Sequence, residues 1–256
     1  MATNTVYSNK VLEAKAKNQL LTAVNTRNLM AIDSELTQNA GMTKTINVYS
    51  YTGAAEEVAP GEGNSVRGAI TYEGKDYTVK LVQQAFDYQD EDFMKDNTVV
   101  DNGVKLANQT MVNKMTSDFV GECEKATLTQ EGPMAYDTIV DAIAKLNTED
   151  EANLFVLTNP AGKAELRKDP DYVAARMGEV VYNGQVGTVA GIPVIVSKAV
   201  TNSYVGDKNA IKLFLKKDVE VEQERDADTR TNSIYLRAAY IVALEDATKI
   251  CKIVTA

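Results

Sequence analysis

The longest regular pattern in the chain is an apolar stripe between residues 96 and 126. Its members recur at steps of three and four positions: Val100, Val104, Ala107, Met111, Met115, Phe119 and Cys123. This spacing is typical of one face of an α-helix, and Asn97 or Thr98 supplies a capping residue at its start. At about 1.5 Å of rise per residue, roughly 28 residues form a rod of about 40 Å. A rod of this length suits a scaffold that spans a subunit better than a compact catalytic fold.

A second pattern, over residues 46–82, alternates apolar and polar positions and is typical of β-strands. It is interrupted by a glycine-rich polar stretch from Gly53 to Gly68 and, further on, by a predicted turn at 73–76. We therefore predict a β-hairpin region with a long excursion. Because a two-stranded ribbon is only marginally stable in water, the excursion needs a partner surface.

Residues 1–45 are polar and carry only a loose apolar pattern, from which we predict an arm with short helical pieces, one near residues 9–24. Such an arm has too little apolar surface to form its own core, so it must lie against its own chain or a neighbour. For the leading segment as a whole, to about residue 80, we expect that copies of the chain must clasp one another to satisfy it.

Helical and strand-like segments alternate from about residue 131 to residue 220. Pro133 is predicted to open a helix that runs from Met134 to about Asn147, and Asn159 is predicted to cap a helix that begins at Pro160. The apolar runs that predict strands here and in the β-rich end of the chain are 154–157, 180–182, 192–196, 211–215, 219–221 and 233–244. This succession predicts an α/β or α+β core.

Charge and the lack of histidine narrow the function classes. The 256 residues carry a formal net charge of −9, from 27 basic and 36 acidic side chains, and contain no histidine. Scattered basic residues disfavour a sequence-specific nucleic-acid reader, whereas a wall that contains DNA without adsorbing it tolerates acidity. Without histidine there is no Ser-His-Asp triad, Cys-His pair or imidazole metal site. Lysine, tyrosine and carboxylate chemistry remains available.

The cysteines and the chain start indicate a reducing compartment. Cys123 and Cys251 are interpreted as buried small hydrophobic residues in preference to a disulfide or a metal site. No run of about 18 apolar residues predicts a transmembrane span. The first residues lack the basic and apolar regions of a signal peptide. We therefore expect the chain to be made and assembled in a cytoplasm, without a membrane partner.

Three polar segments invite a functional interpretation. The acidic cluster over 87–96 lacks the glycine and spacing of an EF-hand and is interpreted as a solvated connection. The stretch 60–68 lacks the ending of a phosphate loop and is interpreted as a mobile loop. In the segment 222–230, acidic residues alternate with Arg225 and Arg230, which predicts a charged strand that pairs across a subunit contact. No catalytic, cofactor-binding or metal-ligating residue is predicted.

The order of these segments resembles the major capsid proteins of tailed bacteriophages, whose shell fold is shared with encapsulin compartments and herpesvirus capsid floors. The resemblance is most specific at 191–197, at the strand pair 210–222, and at 224–230 followed by an aromatic and aliphatic strand. It implies an α+β shell fold with an N-terminal arm, an extended β-hairpin loop, a long spine helix in a peripheral domain, and an axial α/β domain. The implied boundaries are 1–45 for the arm, 46–92 for the extended loop, 93–130 for the peripheral domain, 131–220 for the axial domain and 221–256 for a C-terminal return to the peripheral domain.

This resemblance implies a structural subunit that assembles through hexamers and pentamers into an icosahedral head enclosing double-stranded DNA, with no cofactor and no catalysis. The implied partners are further copies of the chain, portal, scaffolding and decoration proteins, and DNA bound non-specifically. The implied location is the virion, after assembly in the cytoplasm of a bacterial host. Two alternatives stay open: an encapsulin-like compartment, and an unrelated α/β enzyme that uses lysine or carboxylates.

The resemblance also points to residues that contact neighbouring subunits. The candidates are Tyr51, Arg67, Tyr72, Lys75, Tyr77, Arg225, Asp228 and Arg230. Some family members join their subunits by a Lys–Asn isopeptide bond, and Lys75 lies near the predicted turn of the extended loop. We interpret Lys75 as a solvated turn lysine, because nothing in the sequence fixes the geometry of an acceptor.

Overall fold

The computed structural model describes residues 9–22, 26–38, 40–175 and 187–254. In these ranges the α-helices are α1 (Asn9–Thr22), α2 (Glu35–Gln38), α3 (Asp90–Lys95), α4 (Val99–Cys123), α5 (Tyr136–Leu146), α6 (Pro160–Lys168) and α7 (Pro170–Ala175). The strands are β1 (Ala31–Asp33), β2 (Thr43–Thr52), β3 (Ala69–Thr78), β4 (Lys80–Gln89), β5 (Leu128–Glu131), β6 (Leu154–Thr158), β7 (Thr188–Val189), β8 (Ile192–Val196), β9 (Ser203–Asp207), β10 (Ile211–Asp226), β11 (Thr231–Leu244) and β12 (Ile250–Val254). The α+β fold class predicted from the sequence is confirmed.

A four-stranded sheet with the order β1-β10-β11-β4 carries the long helix α4 on one face. The predicted long helix is confirmed, although it begins at Val99 and ends at Cys123, a few residues inside the predicted range. Every member of the predicted apolar stripe is buried. At Gly103 an added side chain would lie 2.4 Å from the ring of Phe86. Glycine at this position therefore allows β4 to approach the helix closely.

The hairpin is a separate two-stranded sheet in which β2 and β3 pair without a register shift over their whole length. The predicted turn at 73–76 is wrong, because these residues lie within β3, each opposite a residue of β2. The chain reverses through residues 53–68 instead. Residues 73–76 are themselves solvent-exposed, so charged residues and glycine are tolerated within the strand there. Val79 alone separates β3 from β4.

The described part of the N-terminal arm folds against its own subunit. The helix predicted near residues 9–24 is confirmed as α1, which contacts α4 and β10. Leu12 and Ala16, one turn apart, are fully buried in the main core. The expectation that the whole leading segment is satisfied only by a neighbouring copy is therefore wrong for this helix. A helix needs only one narrow apolar stripe to pack, and these two residues provide it.

The remaining strands form a six-stranded sheet with the order β5-β12-β9-β6-β8-β7, against which α5 packs. The helix predicted to open at Pro133 begins instead at Tyr136. The reason lies in α6 and the residue that follows it: the Met134 amide donates to Glu165 Oε2 at 3.0 Å, and the Tyr136 amide donates to Asp169 Oδ2 at 2.6 Å. These carboxylates hold the segment in a non-helical conformation. The strand predicted at 180–182 lies outside the described residues.

The predicted cap of α6 is confirmed, and it allows a test of local stability. The Asn159 side chain accepts a hydrogen bond from the Gly162 amide at 2.7 Å, and its amide nitrogen donates to the Thr201 carbonyl at 3.2 Å. Asn159→Ala is expected to lower the free energy of unfolding by about 1 kcal/mol, measured by urea denaturation. Asn159→Ser keeps a cap acceptor but not the bond to Thr201, so it should retain most of this stability. An equal loss in both variants would show that the cap contributes nothing.

Candidate assembly surface

One face of the hairpin carries four large, exposed apolar or aromatic side chains. Directly opposite residues of an antiparallel pair share a face, which places Tyr49 beside Tyr72 and Tyr51 beside Ile70. The residues are 67%, 71%, 64% and 68% exposed, respectively. The rings of Tyr49 and Tyr72 lie with their centroids 6.0 Å apart. We call these four residues the aromatic face. A contiguous exposed apolar surface of this kind marks an interaction site.

The opposite face of the hairpin is anchored to the body at its base. Ile46 is buried in a small core cluster with residues of α2, β10 and β11, and Tyr77 packs against that cluster. The Tyr77 hydroxyl donates to the Leu244 carbonyl at 3.2 Å. Lys44 forms an ion pair with Glu35 at 2.7 Å. The root of the hairpin is therefore held by its own subunit, while its outer part projects into solvent.

A buried carboxylate fixes the point where the hairpin enters the body. Asp118 of α4, whose side chain is 6% exposed, accepts hydrogen bonds from Lys80 Nζ at 2.8 Å, Lys114 Nζ at 3.0 Å and the Tyr240 hydroxyl at 3.0 Å. Burial by itself raises the pKa of Asp118, but the three hydrogen bonds outweigh it and the pKa lies below its ordinary value. Lys80 directly follows the connecting residue Val79, so this network clamps the start of β4 to the long helix.

The distal loop of the hairpin is closed by a second carboxylate. Glu56 accepts hydrogen bonds from the Ser65 and Val66 amides at 2.8 and 3.1 Å, and from the Ser65 hydroxyl. The hydrogen bond from the Ser65 hydroxyl is the main reason that the pKa of Glu56 is lowered. These bonds draw the two ends of residues 56–66 together. The loop tip is thus a defined structure even though all its residues are solvent-exposed.

The structure separates the predicted contact residues of the extended loop. Tyr51 and Tyr72 lie together on the aromatic face, and Arg67 is exposed at the end of the distal loop. Lys75 lies opposite Ile46, on the other face from the tyrosines, and is exposed within a strand rather than in a turn. Tyr77 is bound to its own subunit. Contact with a neighbouring copy stays a prediction for all five.

The charged segment forms its ion pairs within the chain. Arg225 Nη2 lies 2.7 Å from Asp90 Oδ2, and Arg230 Nη1 lies 3.9 Å from Glu91 Oε1. Asp90 also accepts from Asn232 at 2.7 Å, and this bond is the main cause of its lowered pKa. The structure therefore places Arg225 and Arg230 against α3 of their own subunit. A role across a subunit contact stays a prediction for these arginines.

Asp228 and the neighbouring acidic residues show no arrangement for a metal ion. The Asp228 amide donates to Asp226 Oδ1 at 2.9 Å, which shapes the turn between β10 and β11. Within the described ranges there is no group of three or more acidic or cysteine side chains placed to hold a cation. Both cysteines are buried and unpaired, and burial raises the pKa of each thiol. Among the described residues, no helix is both long and apolar enough to cross a membrane.

Sequence reasoning missed two anchoring carboxylates. For Asp118, the spacing of four from Lys114 on a helix was a visible signal, although that spacing is common on solvated helices. Glu124, at the end of α4, accepts from the Tyr204 hydroxyl, from Lys252 Nζ and, at 2.9 Å, from Asn202. It connects the long helix to the six-stranded sheet. Its partners lie far along the chain, so no local pattern indicated it.

Comparison with solved structures defines the class of fold. The chain resembles the capsid of the cyanophage P-SCSP1u with a TM-score of 0.74 and 11% identity, over 91% of this chain and 88% of that one. It resembles a virus-like particle from Pyrococcus furiosus with a TM-score of 0.66 and 10% identity, over 96% and 98% of the two chains. The chain therefore has the fold that the subunits of these two particles share, as the sequence resemblance implied.

Sequence comparison then gives the family. Residues 107–246 match the model of the phage capsid family, and the chain belongs to that family. It is also 25% identical to the major capsid protein of Staphylococcus phage phiMR11 over 252 residues, which is 95% of this chain and 92% of that protein. The family resemblance stated from the sequence is confirmed.

Proposed function

We propose that this chain is the major capsid protein of a tailed bacteriophage and that it self-assembles into the icosahedral head. Family membership supports this role. The structural observation that supports it is the exposed aromatic face of the hairpin. Each subunit exposes apolar surface on a rigidly rooted projection, and burying that surface against neighbours stabilises the assembly. Hexamers and pentamers multiply individually weak contacts, because ring closure makes the later contacts intramolecular.

The proposed role extends to location and partners. We infer that the chain acts in the virion, is assembled in the cytoplasm of its bacterial host, and catalyses nothing. Portal, scaffolding and decoration proteins are proposed partners, together with non-specifically enclosed double-stranded DNA. The net charge of −9 supports a wall that encloses DNA without binding it tightly. The division into arm, extended loop, peripheral domain, axial domain and C-terminal return is likewise a proposal, supported by a second core cluster whose residues come mainly from the six-stranded sheet and from α5, α6 and α7.

Particle formation tests the proposal directly. The purified chain is expected to sediment as megadalton particles and to show closed shells in negative-stain electron microscopy. An enzyme of the alternative class would remain a small oligomer under the same conditions. The structural similarity to the Pyrococcus furiosus particle is the reason for testing the encapsulin-like alternative. Shells that contain a bound cargo protein and no DNA-packaging machinery would favour that alternative. A chain that stays monomeric at high concentration would refute the proposed function.

A further inference from the structure

Three carboxylates in and just after the last two turns of α4 each lie near a tyrosine from a different strand. In two of these pairs a hydrogen bond joins the partners. Asp118 accepts from the Tyr240 hydroxyl of β11 at 3.0 Å, and Glu124 accepts from the Tyr204 hydroxyl of β9. In both pairs the tyrosine hydroxyl therefore ties a sheet to the long helix.

The third pair, Glu122 of α4 and Tyr77 at the root of the hairpin, is not joined in this way. Lys125 brings the two residues together, because its Nζ lies 2.6 Å from Glu122 Oε1 and 5.7 Å from the centre of the Tyr77 ring. The pKa of Tyr77 is raised, first by burial and then by the negative charge of Glu122. The Tyr77 hydroxyl nevertheless donates to the Leu244 carbonyl, at 3.2 Å. Glu122 Oε2 is buried and has no hydrogen-bond partner among the described residues.

Two acceptors therefore compete for the Tyr77 hydroxyl. The bond to the Leu244 carbonyl is long, since hydroxyl donors usually lie about 2.7–2.8 Å from an oxygen acceptor. A bond to the Glu122 carboxylate would be stronger, and it would satisfy a buried acceptor whose lack of a partner is costly. Packing opposes this exchange, because the Tyr77 ring lies against the small core cluster that contains Ile46. The two arrangements are thus stabilised by different interactions.

We propose that the Tyr77 hydroxyl has two positions, one on the Leu244 carbonyl and one on the Glu122 carboxylate, and that the hairpin root turns between them. Tyr77 lies two residues before Val79, which connects the hairpin to β4. Movement of its side chain therefore changes the direction in which β2 and β3 leave the body. In both positions the root stays bound to its own subunit. The inference concerns a single chain and does not depend on the proposed function.

The distance between two spin labels on one chain tests this proposal. The labels are attached to Thr71→Cys on the hairpin and Ala144→Cys on α5, two exposed positions. Labelled full-length chain is diluted with an excess of unlabelled chain, so that only distances within one chain are measured. Cys123 and Cys251 are buried and should stay unlabelled. Double electron–electron resonance is expected to show two distances, one for each position of the root.

Removal of either hydrogen-bonding group should abolish the second position. Glu122→Leu should lower the population of one distance about tenfold or more, because a hydrogen bond to a charged group is lost. Tyr77→Phe should lower the same population, since the donor is missing, and it decides the question if Glu122→Leu does not fold. Glu122→Gln keeps an acceptor oxygen and should retain part of this population. A single distance without these substitutions would overturn the proposal, and so would two distances whose populations are unchanged in either Glu122→Leu or Tyr77→Phe.

Discussion

Removal of residues 48–73 is expected to give a subunit that folds and stays soluble but forms no shell. Asn47 and Gly74 are directly opposite each other in the hairpin, so the deletion joins them as an Asn-Gly pair. Asn-Gly is the preferred sequence of a two-residue type I′ hairpin turn, and here Ile46 and Lys75 would close it. The root contacts of Ile46 and Tyr77 remain, while the aromatic face and distal loop are lost. Sedimentation should show a monomer or small oligomer, and urea should unfold it cooperatively.

Substitutions in the full-length chain test whether shell formation depends on the apolar face or only on the presence of the hairpin. Replacing Tyr49, Tyr51, Ile70 and Tyr72 together by serine should also abolish shells, because the strands persist but the apolar surface does not. The matched control is the double variant Ser50→Ala and Thr71→Ala, which changes an exposed pair on the opposite face and should assemble normally. Normal shells from the deletion would end the proposed role of the hairpin. A deletion variant that does not fold would show that the subunit needs the outer part of the hairpin as well as its root in order to fold.

The local elements were predictable because their signals are local. The apolar stripe of α4 repeats with the helical period. The cap of α6 needs only the side chain of Asn159 and the amide of Gly162, three positions further along the chain. The turn at 73–76 was placed wrongly because charge and glycine mark a turn only where no partner strand exists. The existence of that partner depends on register with residues about thirty positions away.

The anchoring contacts could not be predicted for a related reason. Lys80 and Tyr240 reach Asp118 from 38 and 122 positions away, and Arg225 reaches Asp90 from 135 positions away. Only the folded sheet brings these groups together. For the segment 222–230 the sequence predicted pairing across a subunit contact, which stays a prediction, and no local pattern indicated the ion pairs that Arg225 and Arg230 form within the chain. Of the four residues of the aromatic face, the sequence analysis predicted Tyr51 and Tyr72 as contact residues. It did not predict Tyr49 or Ile70.

Replacing Asp118 by alanine is expected to destabilise the subunit by about 3 kcal/mol and to loosen the root of the hairpin. Loss of the carboxylate leaves the buried Tyr240 hydroxyl without its acceptor, which costs about 1–3 kcal/mol. Lys80 and Lys114 are half-exposed and turn to solvent, so the loss of their ion pairs adds at most about 1 kcal/mol. Urea unfolding of the unassembled chain at neutral pH measures the total. Shell yield should fall as well, because Lys80 no longer fixes the start of β4.

A double variant and a pH series show that the carboxylate itself is responsible. In the background Tyr240→Phe, the alanine substitution should cost clearly less, because no buried hydroxyl is left unsatisfied. The pKa of Asp118 is lower in the folded chain than in the unfolded chain, so its contribution is complete above the ordinary aspartate pKa of about 3.9 and is lost as the pH falls through the folded value. The stability difference between the wild type and Asp118→Asn should therefore be constant near neutrality and shrink below about pH 4. If this stability difference is unchanged down to pH 3, the charge of Asp118 does not contribute to the stability. The network would then depend only on the shape of the side chain.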